Sequence, residues 1–185
     1  MSAVEQGMDA DRSERSEADA DRPERDTRPP VLAIVTSLGA AGLATVAGTL
    51  AAPIGGGVVA CSLVAFAAGS LTGSARVLSW GAGIGVVGIA VAAGLGGAAE
   101  PLLVATVSLA VAWDVADHGL SLGEHVGREA RTGRNVAVHA GSSLLVGALS
   151  AAVVYGTYLA AAGGQPVTAV ALLLFGAVVL ASAFR

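Results

Sequence analysis

The stretch VLAIVTSLGAAGLATVAGTLAA, residues 31–52, decides the fold, because it carries no charged side chain and consists mainly of apolar and small residues. About 20 such residues, each rising 1.5 Å, cross a bilayer core of about 30 Å as one helix. The stretch follows Pro29 and Pro30 and stops at Pro53, and proline is typical of helix boundaries. It therefore predicts a transmembrane helix.

Five further apolar runs follow along the chain. They cover residues 54–71, 77–98, 101–116, 137–162 and 167–184. Proline, glycine or charged residues separate the runs, as expected at helix ends. We therefore predict an all-α protein, a polytopic transmembrane bundle of about six helices over residues 31–185. It would lie in the lipid bilayer and carry a polar loop at residues 117–136.

The first 30 residues have a different composition. Nine of the 14 acidic and five of the ten basic side chains lie there, so the net charge of −4 belongs to this segment. Its charges alternate in an imperfect repeat, DADRSER at 9–15 and DADRPER at 19–25. Such a segment cannot bury enough apolar surface to offset its ordering entropy, so we predict a disordered tail over residues 1–30. Its acidity argues against a nucleic-acid partner.

The arginines indicate an orientation. Short cytoplasmic loops of membrane proteins are enriched in basic residues. With the tail inside and six crossings, all ten arginines fall on the cytoplasmic side, in the tail, beside Arg76, in the loop 117–136 and at Arg185. We therefore predict a multi-pass protein of the cell membrane with both termini cytoplasmic. The chain has no lysine, and its pI near 5.2 is typical of a salt-adapted organism or of a GC-rich genome; both origins stay open.

Most ionisable groups of the apolar body lie between Trp113 and His139. The candidate functional or partner-contact residues are Asp114, Asp117, His118, His125, Arg128, Arg131, Arg134 and His139. Asp114 lies about 20 Å of helix from Pro101, at or just inside the inner membrane boundary. A carboxylate at that depth is expensive and calls for a partner. His118, Arg76 and the loop arginines are the candidates. Either a proton or ion relay, or an interfacial carboxylate paired with arginine, fits this pattern.

Other chemistries have weaker support. We assign no catalytic residue, because nothing in the sequence resembles a nucleophile with its base, and Asp114 with His118 is the only candidate pair for a membrane enzyme. A metal site on Asp114, His118 and His125 would lack the tight His/Glu pairs on two helices that such sites usually show, so we predict no metal and no cofactor. The GIGVVG match at 83–88 lies within a predicted membrane helix and does not predict nucleotide binding.

Three motifs resemble a family of uncharacterised haloarchaeal multi-pass membrane proteins. They are AWDVA at 112–116, LGEHVGR at 122–128, and Arg134 through His139 with Ser143 and Gly147, where His139 opens the next helix. The resemblance covers roughly residues 100–150. Where family members often have a carboxylate before this histidine, the chain has Asn135, which removes one partner for the arginines. The resemblance implies a halophilic archaeon and genes near MoxR-type ATPases, which fits a membrane-associated assembly.

These observations favour a non-enzymatic membrane accessory or scaffold protein, a subunit of an assembly with an ATPase, whose loop 117–136 contacts a protein partner. The alternative is a small transporter or channel that uses Asp114 at the inner membrane boundary, and a membrane enzyme comes third. Loss of complex formation on Arg128→Ala plus Arg131→Ala would favour the scaffold. The sequence leaves open whether the chain forms a homo-oligomer.

Overall fold

The computed structural model describes residues 28–126 and 133–161, and the ordered elements within them are five helices. They are α1 Val31–Ala51, α2 Pro53–Thr72, α3 Ala75–Gly94, α4 Ala99–Val126 and α5 Gly133–Ala161. All five are long and apolar enough to cross a membrane. The described residues are thus helical throughout their ordered elements, and five helices of membrane-spanning length and composition agree with the predicted multi-pass membrane protein. The tail over residues 1–27 and the apolar run 167–184, the sixth predicted helix, lie outside the described residues.

The first three helices end where local chemistry requires it. Ala52 is extended and Pro53 occupies the first turn of α2, where its missing N–H costs no hydrogen bond. Gly73 ends α2 in the left-handed conformation with φ 68°, which suits a residue without Cβ. Ser74 then caps α3 by accepting a hydrogen bond from the Val77 N–H at 3.4 Å. The short α1–α2 and α2–α3 connections make neighbouring helices antiparallel.

Helices α1 to α4 form a four-helix ring. Each helix packs on the next, and α4 closes the ring against α1, while contacts across the diagonals are sparse. The shared core includes Ala44, Val59, Phe66, Leu78 and Leu109. Helix α5 lies outside this ring. Among the described helices it packs on α4 and, at a few positions, on α1.

Close backbone approach joins α2 to α3. A Cβ at Gly88 would lie 2.7 Å from Val59 Cγ2 and 2.8 Å from the Val59 backbone nitrogen. A Cβ at Gly55 would lie 2.7 Å from the Ala92 Cα. Glycines therefore permit this contact, as small residues generally do between membrane helices. Gly85 and Gly88 of the GIGVVG match thus serve packing, since a Cβ at Gly85 would meet Leu109 at 2.6 Å.

The polar segment is more helical than the sequence predicts. Helix α4 was expected at residues 101–116 and α5 at 137–162, with a loop at 117–136. Instead α4 continues to Val126 and α5 begins at Gly133, so that only residues 127–132 separate them. The reason is that the apolar face of α4 continues through buried Leu120 and Gly123, while the polar residues fall on its exposed face. Packing of this face outweighs the polarity of the segment.

Candidate functional site

Two helices bring a row of polar side chains together at the end of the bundle where α1 begins. Asp114 and His118 lie one turn apart on α4. Asn135, His139 and Ser143 follow one another at the same spacing on α5. Residues four apart share a helix face, so the two rows meet along the α4–α5 interface. We call these five residues the polar cluster.

Asp114 is the centre of the polar cluster. The Ser143 hydroxyl donates a hydrogen bond to Asp114 Oδ2. His139 Nε2 lies 2.8 Å from the same oxygen, an ion pair whenever the imidazole is protonated. The Asp114 and His139 side chains are 40% and 31% exposed, so the pair is neither buried nor fully solvated. One carboxylate oxygen therefore joins α4 to two residues of α5.

The two histidines continue the row towards the end of the bundle. The His118 and His139 rings stack with centroids 3.9 Å apart and an interplanar angle of 15°. His118 Nε2 then lies 2.9 Å from Asn135 Oδ1. A carbonyl oxygen only accepts, so this contact assigns the proton to His118 Nε2. The polar cluster thus links one helical turn of α4 to two turns of α5.

The contacts of α1 place the polar cluster along the bundle. A Cβ at Gly119 would lie 2.7 Å from Ala33 Cβ and 3.4 Å from Pro29 Cβ, so Gly119 is level with the beginning of α1. Further inside, the Ser37 hydroxyl donates to the Ala112 carbonyl at 2.7 Å. Asp114 lies between these two levels, about one to two turns deeper in the bundle than the beginning of α1. The residues of α4 after Gly119 extend beyond it.

An apolar cluster supports the polar one. Ala33, Val111, Val115 and Val136 are buried together between α1, α4 and α5. Val136 follows Asn135 directly, so its burial fixes the rotation of α5 against α4. This packing directs Asn135, His139 and Ser143 towards α4.

The polar cluster contains only part of the predicted set. Asp114, His118 and His139 come together, whereas Asp117 is exposed and His125 is exposed with its Nδ1 2.7 Å from the Ser121 carbonyl of its own helix. Exposed Arg134 lines an open groove of about 560 Å³ on α5. Arg128 and Arg131 lie outside the described residues. The partners of Asp114 are His139 and Ser143, while His118 contacts it through His139.

Sequence reasoning missed Asn135 and Ser143 as members of the site. The signal that finds them is their spacing of four residues on either side of His139, which places all three on one face. The spacing alone, however, does not show which face meets α4.

The geometry limits the chemistry. The Ser143 hydroxyl has a single proton, and two acceptors lie within its reach, Asp114 Oδ2 and the His139 carbonyl oxygen of its own helix, 3.1 Å away. Within residues 28–126 and 133–161, no three His, Cys, Asp or Glu side chains converge as metal ligands. The polar cluster does supply groups that hold a proton and that join two helices.

A second polar contact lies at the opposite end of the same helix pair. The Tyr155 hydroxyl donates to Glu100 Oε1 at 2.6 Å, and Tyr155 stacks on Tyr158 with ring centroids 6.1 Å apart. Tyr155 is a hydrogen-bond donor to α4.

Comparison with known protein families gives a match over most of the chain. A model described as a family of unknown function (DUF7519) matches residues 27–181, nearly all of the chain beyond the charged tail. Neither a curated protein nor a solved structure matches the chain.

Proposed function

The chain belongs to DUF7519, a family of unknown function, and from its own geometry we propose that it is a non-enzymatic membrane scaffold. The ring α1–α4 anchors it in the bilayer. The ends of α4 and α5 beside the beginning of α1 hold a protein partner, and an ATPase of a membrane-associated assembly is the partner we favour. The polar cluster serves this role by fixing α5 to α4.

The main observation in support of the scaffold is the exposed polar face of α4. Asp117, Ser121, Glu124 and His125 are all exposed and recur at intervals that place them on one side of the helix. On the other side Leu120 is only 5% exposed. Ser121, Glu124 and His125 lie on the part of α4 that extends beyond the beginning of α1, and Asp117 lies about half a turn before Gly119, which is level with that beginning. The polar face therefore offers both carboxylates to a partner outside the membrane, on a helix held in place by its apolar side.

Helix α5 adds a second element to this surface. Arg134 lies in the first turn of α5 and is exposed beside Asn135, whose amide oxygen contacts His118 on α4. A partner would thus meet acidic groups of α4 and a basic group of α5 at a fixed separation. Charges arranged in this way contribute more to specificity and association rate than to affinity.

The orientation of the chain, the type of ATPase and the salt-adapted origin are inferred from the sequence. The distribution of the ten arginines supports an orientation with both termini cytoplasmic, where an ATPase would be accessible. The resemblance of residues 100–150 to haloarchaeal membrane proteins supports a MoxR-type ATPase and a salt-adapted archaeal origin. Arg128 and Arg131 would extend the partner surface.

Co-purification tests the proposal. The full chain, purified from native membranes in mild detergent at high salt, should retain a stoichiometric partner identified by mass spectrometry. Asp117→Arg plus Glu124→Arg should reduce that partner more than about tenfold, because like charges then face the partner's basic groups. The matched control, Asp117→Glu plus Glu124→Asp, keeps both charges and should retain the partner.

Two results would contradict the scaffold. One is full partner retention by the charge-reversed variant, which would place the contact elsewhere. The other is a homo-oligomer without any other protein. Circular dichroism and elution volume of both variants establish that each is folded before the partner is measured.

The second candidate is a transporter or channel. Asp114 favours it, since a carboxylate beside an imidazole and a hydroxyl within a membrane-length helix is typical of proton and ion paths. Against it, described residues between the polar cluster and Glu100 are largely apolar, among them Val107 and Val111. Loss of ion flux in Asp114→Asn, with partner binding unchanged, would favour transport over the scaffold.

A further inference from the structure

An apolar groove runs along the half of the α4–α5 pair that contains Glu100 and Tyr155. Its volume is about 470 Å³, and its walls come from α1, α4 and α5. On the α5 side it is lined by Leu144, Ala148, Ala151, Ala152 and Tyr155. Four of them, all except Ala152, recur at intervals of four, three and four residues, which is the spacing of a seam that packs on a second helix.

The surroundings of the groove suit a helix. Among the described helices α5 packs only on α4 and α1, and its surface is largely exposed. Leu43 of α1 lines the groove, and Gly39 lies one turn away on the same face. Within the described part of the chain, a Cβ at Gly39 would meet no atom within 4 Å. Small residues on α1 and α5 therefore leave room for a close helix contact.

The position and length of the chain that follows α5 indicate which segment occupies the groove. Helix α5 ends at Ala161, at the end of the bundle that holds Glu100 and Tyr155. The run 167–184, outside the described residues, follows after the turn-forming stretch GGQP at 163–166. A helix of that length measures about 27 Å at 1.5 Å per residue, enough to return along α5.

We propose that residues 167–184 return antiparallel to α5 and fill this groove. Their sequence carries a matching seam of alternating small and large residues at intervals of four, three, four and three. It consists of Ala169, Leu173, Gly176, Leu180 and Ala183. A sustained repeat of this kind keeps one face turned to its neighbour along the whole contact.

The two seams are complementary in size. In an antiparallel return, residues equally far from the connection lie opposite each other. Leu180 then faces Ala148, so that a large side chain meets a small one. Gly176 faces Ala151, where the two backbones approach closely. Shape complementarity of this kind supplies the attraction between helices in lipid, where apolar burial supplies none.

Disulfide cross-linking of the full chain in native membranes tests the register. The background is Cys61→Ser, because Cys61 is exposed and would compete. Ala148→Cys plus Leu180→Cys, and separately Ala151→Cys plus Gly176→Cys, should each form a disulfide within one chain under mild oxidation. The matched control is Val146→Cys plus Leu180→Cys, since Val146 is 64% exposed and lies about 160° around α5 from Ala148.

Peptide mass spectrometry and the mass of the unreduced protein separate the outcomes. Disulfides within one chain for both groove pairs, with at least about tenfold less in the control, support the proposal. Disulfides that join two chains would show that a second copy fills the groove and overturn it. Equal cross-linking in the control, or none in either groove pair, would also overturn it, the latter leaving the groove to lipid. Each variant is first shown to be folded by its elution volume, and a partner in co-purification has no bearing on this result.

Discussion

The contact between α2 and α3 and the contact between α4 and α5 hold their helices together in opposite ways. At the first, Gly55, Gly69 and Gly88 let the backbones approach until an added Cβ would overlap the neighbouring helix. At the second, Asp114, His139 and Ser143 join the helices through polar atoms. The first contact depends on the absence of a Cβ at its glycines, whereas the second depends on the polar side chains that meet across it.

This difference follows from the bilayer as solvent. Apolar side chains gain nothing by leaving lipid, so helix pairs associate through close packing or through polar contacts. Close packing at α2–α3 extends over the whole helix length and builds the ring. The polar cluster is confined to two turns and fixes α5, which has few other described contacts. Substitutions that add a side chain at the α2–α3 contact should therefore lower the free energy of unfolding more than substitutions that remove polar groups from the polar cluster.

The largest expected effect is that of Gly88→Leu. The new side chain would meet Val59 and the Gly55 carbonyl oxygen, which is backbone and cannot move aside alone. We expect a loss of about 3 kcal/mol or more in the free energy of unfolding, at the upper end of overpacking effects. Denaturation in mixed detergent, followed by circular dichroism, measures it.

Gly83→Leu is the matched control for Gly88→Leu, because a Cβ at Gly83 meets no described atom within 4 Å. It should stay within about 0.5 kcal/mol of the parent chain. If both substitutions cost the same, glycine matters at α3 through backbone flexibility and not through close approach.

The next effect is that of Asp114→Ala. It removes the acceptor of Ser143 and the partner of His139, and polar contacts between membrane helices contribute about 0.6 kcal/mol on average and up to about 1.7 kcal/mol. We expect a loss of about 1 to 2 kcal/mol, with α5 more accessible to protease. Asp117→Ala, the same substitution at an exposed position of the same helix, should change little. Equal losses would show that the polar cluster does not hold α5.

Ser143→Ala should have a smaller effect of about 0.6 kcal/mol, since it removes one hydrogen bond and leaves His139 beside Asp114. Ser142→Ala is its control, because among the described residues the Ser142 hydroxyl bonds only to the His139 carbonyl of its own helix, at 2.7 Å. A double-mutant cycle with Asp114→Ala separates the Asp114–Ser143 contact from helix propensity. Additive losses would contradict a direct interaction.

The sequence predicted those features that depend on local chemistry. The runs 31–52, 54–71 and 77–98 correspond to α1, α2 and α3, because Pro53 fits the first turn of a helix and Gly73 ends α2 in the left-handed conformation. The end of α4 was missed by ten residues, because burial of Leu120 against the other helices decides it. The residue pattern of α4 alone does not show that Leu120 packs against other helices.

The same limit applies to the site. Asp114, His118 and His139 were predicted as candidates because charged and imidazole groups are rare in this apolar sequence. Their mutual contacts depend on how α5 is rotated about α4, which the packing of Val136 determines. Ser143 and Asn135 carry no charge, so only the assembled helix pair reveals them as members of the polar cluster.

The smallest expected effect is that of Tyr155→Phe at the opposite end of α4 and α5. It removes the hydrogen bond to Glu100, but Glu100 is exposed and Tyr155 only half-buried, so water replaces the lost contact and the thermal midpoint should move less than in Ser143→Ala. Tyr158→Phe is the control, since it keeps the stacked ring pair and the Glu100 contact. An effect of Tyr155→Phe as large as that of Asp114→Ala would mean that the pair is shielded from water in the full chain. The segment 167–184 would do this, because Glu100 and Tyr155 line the groove that we assign to it.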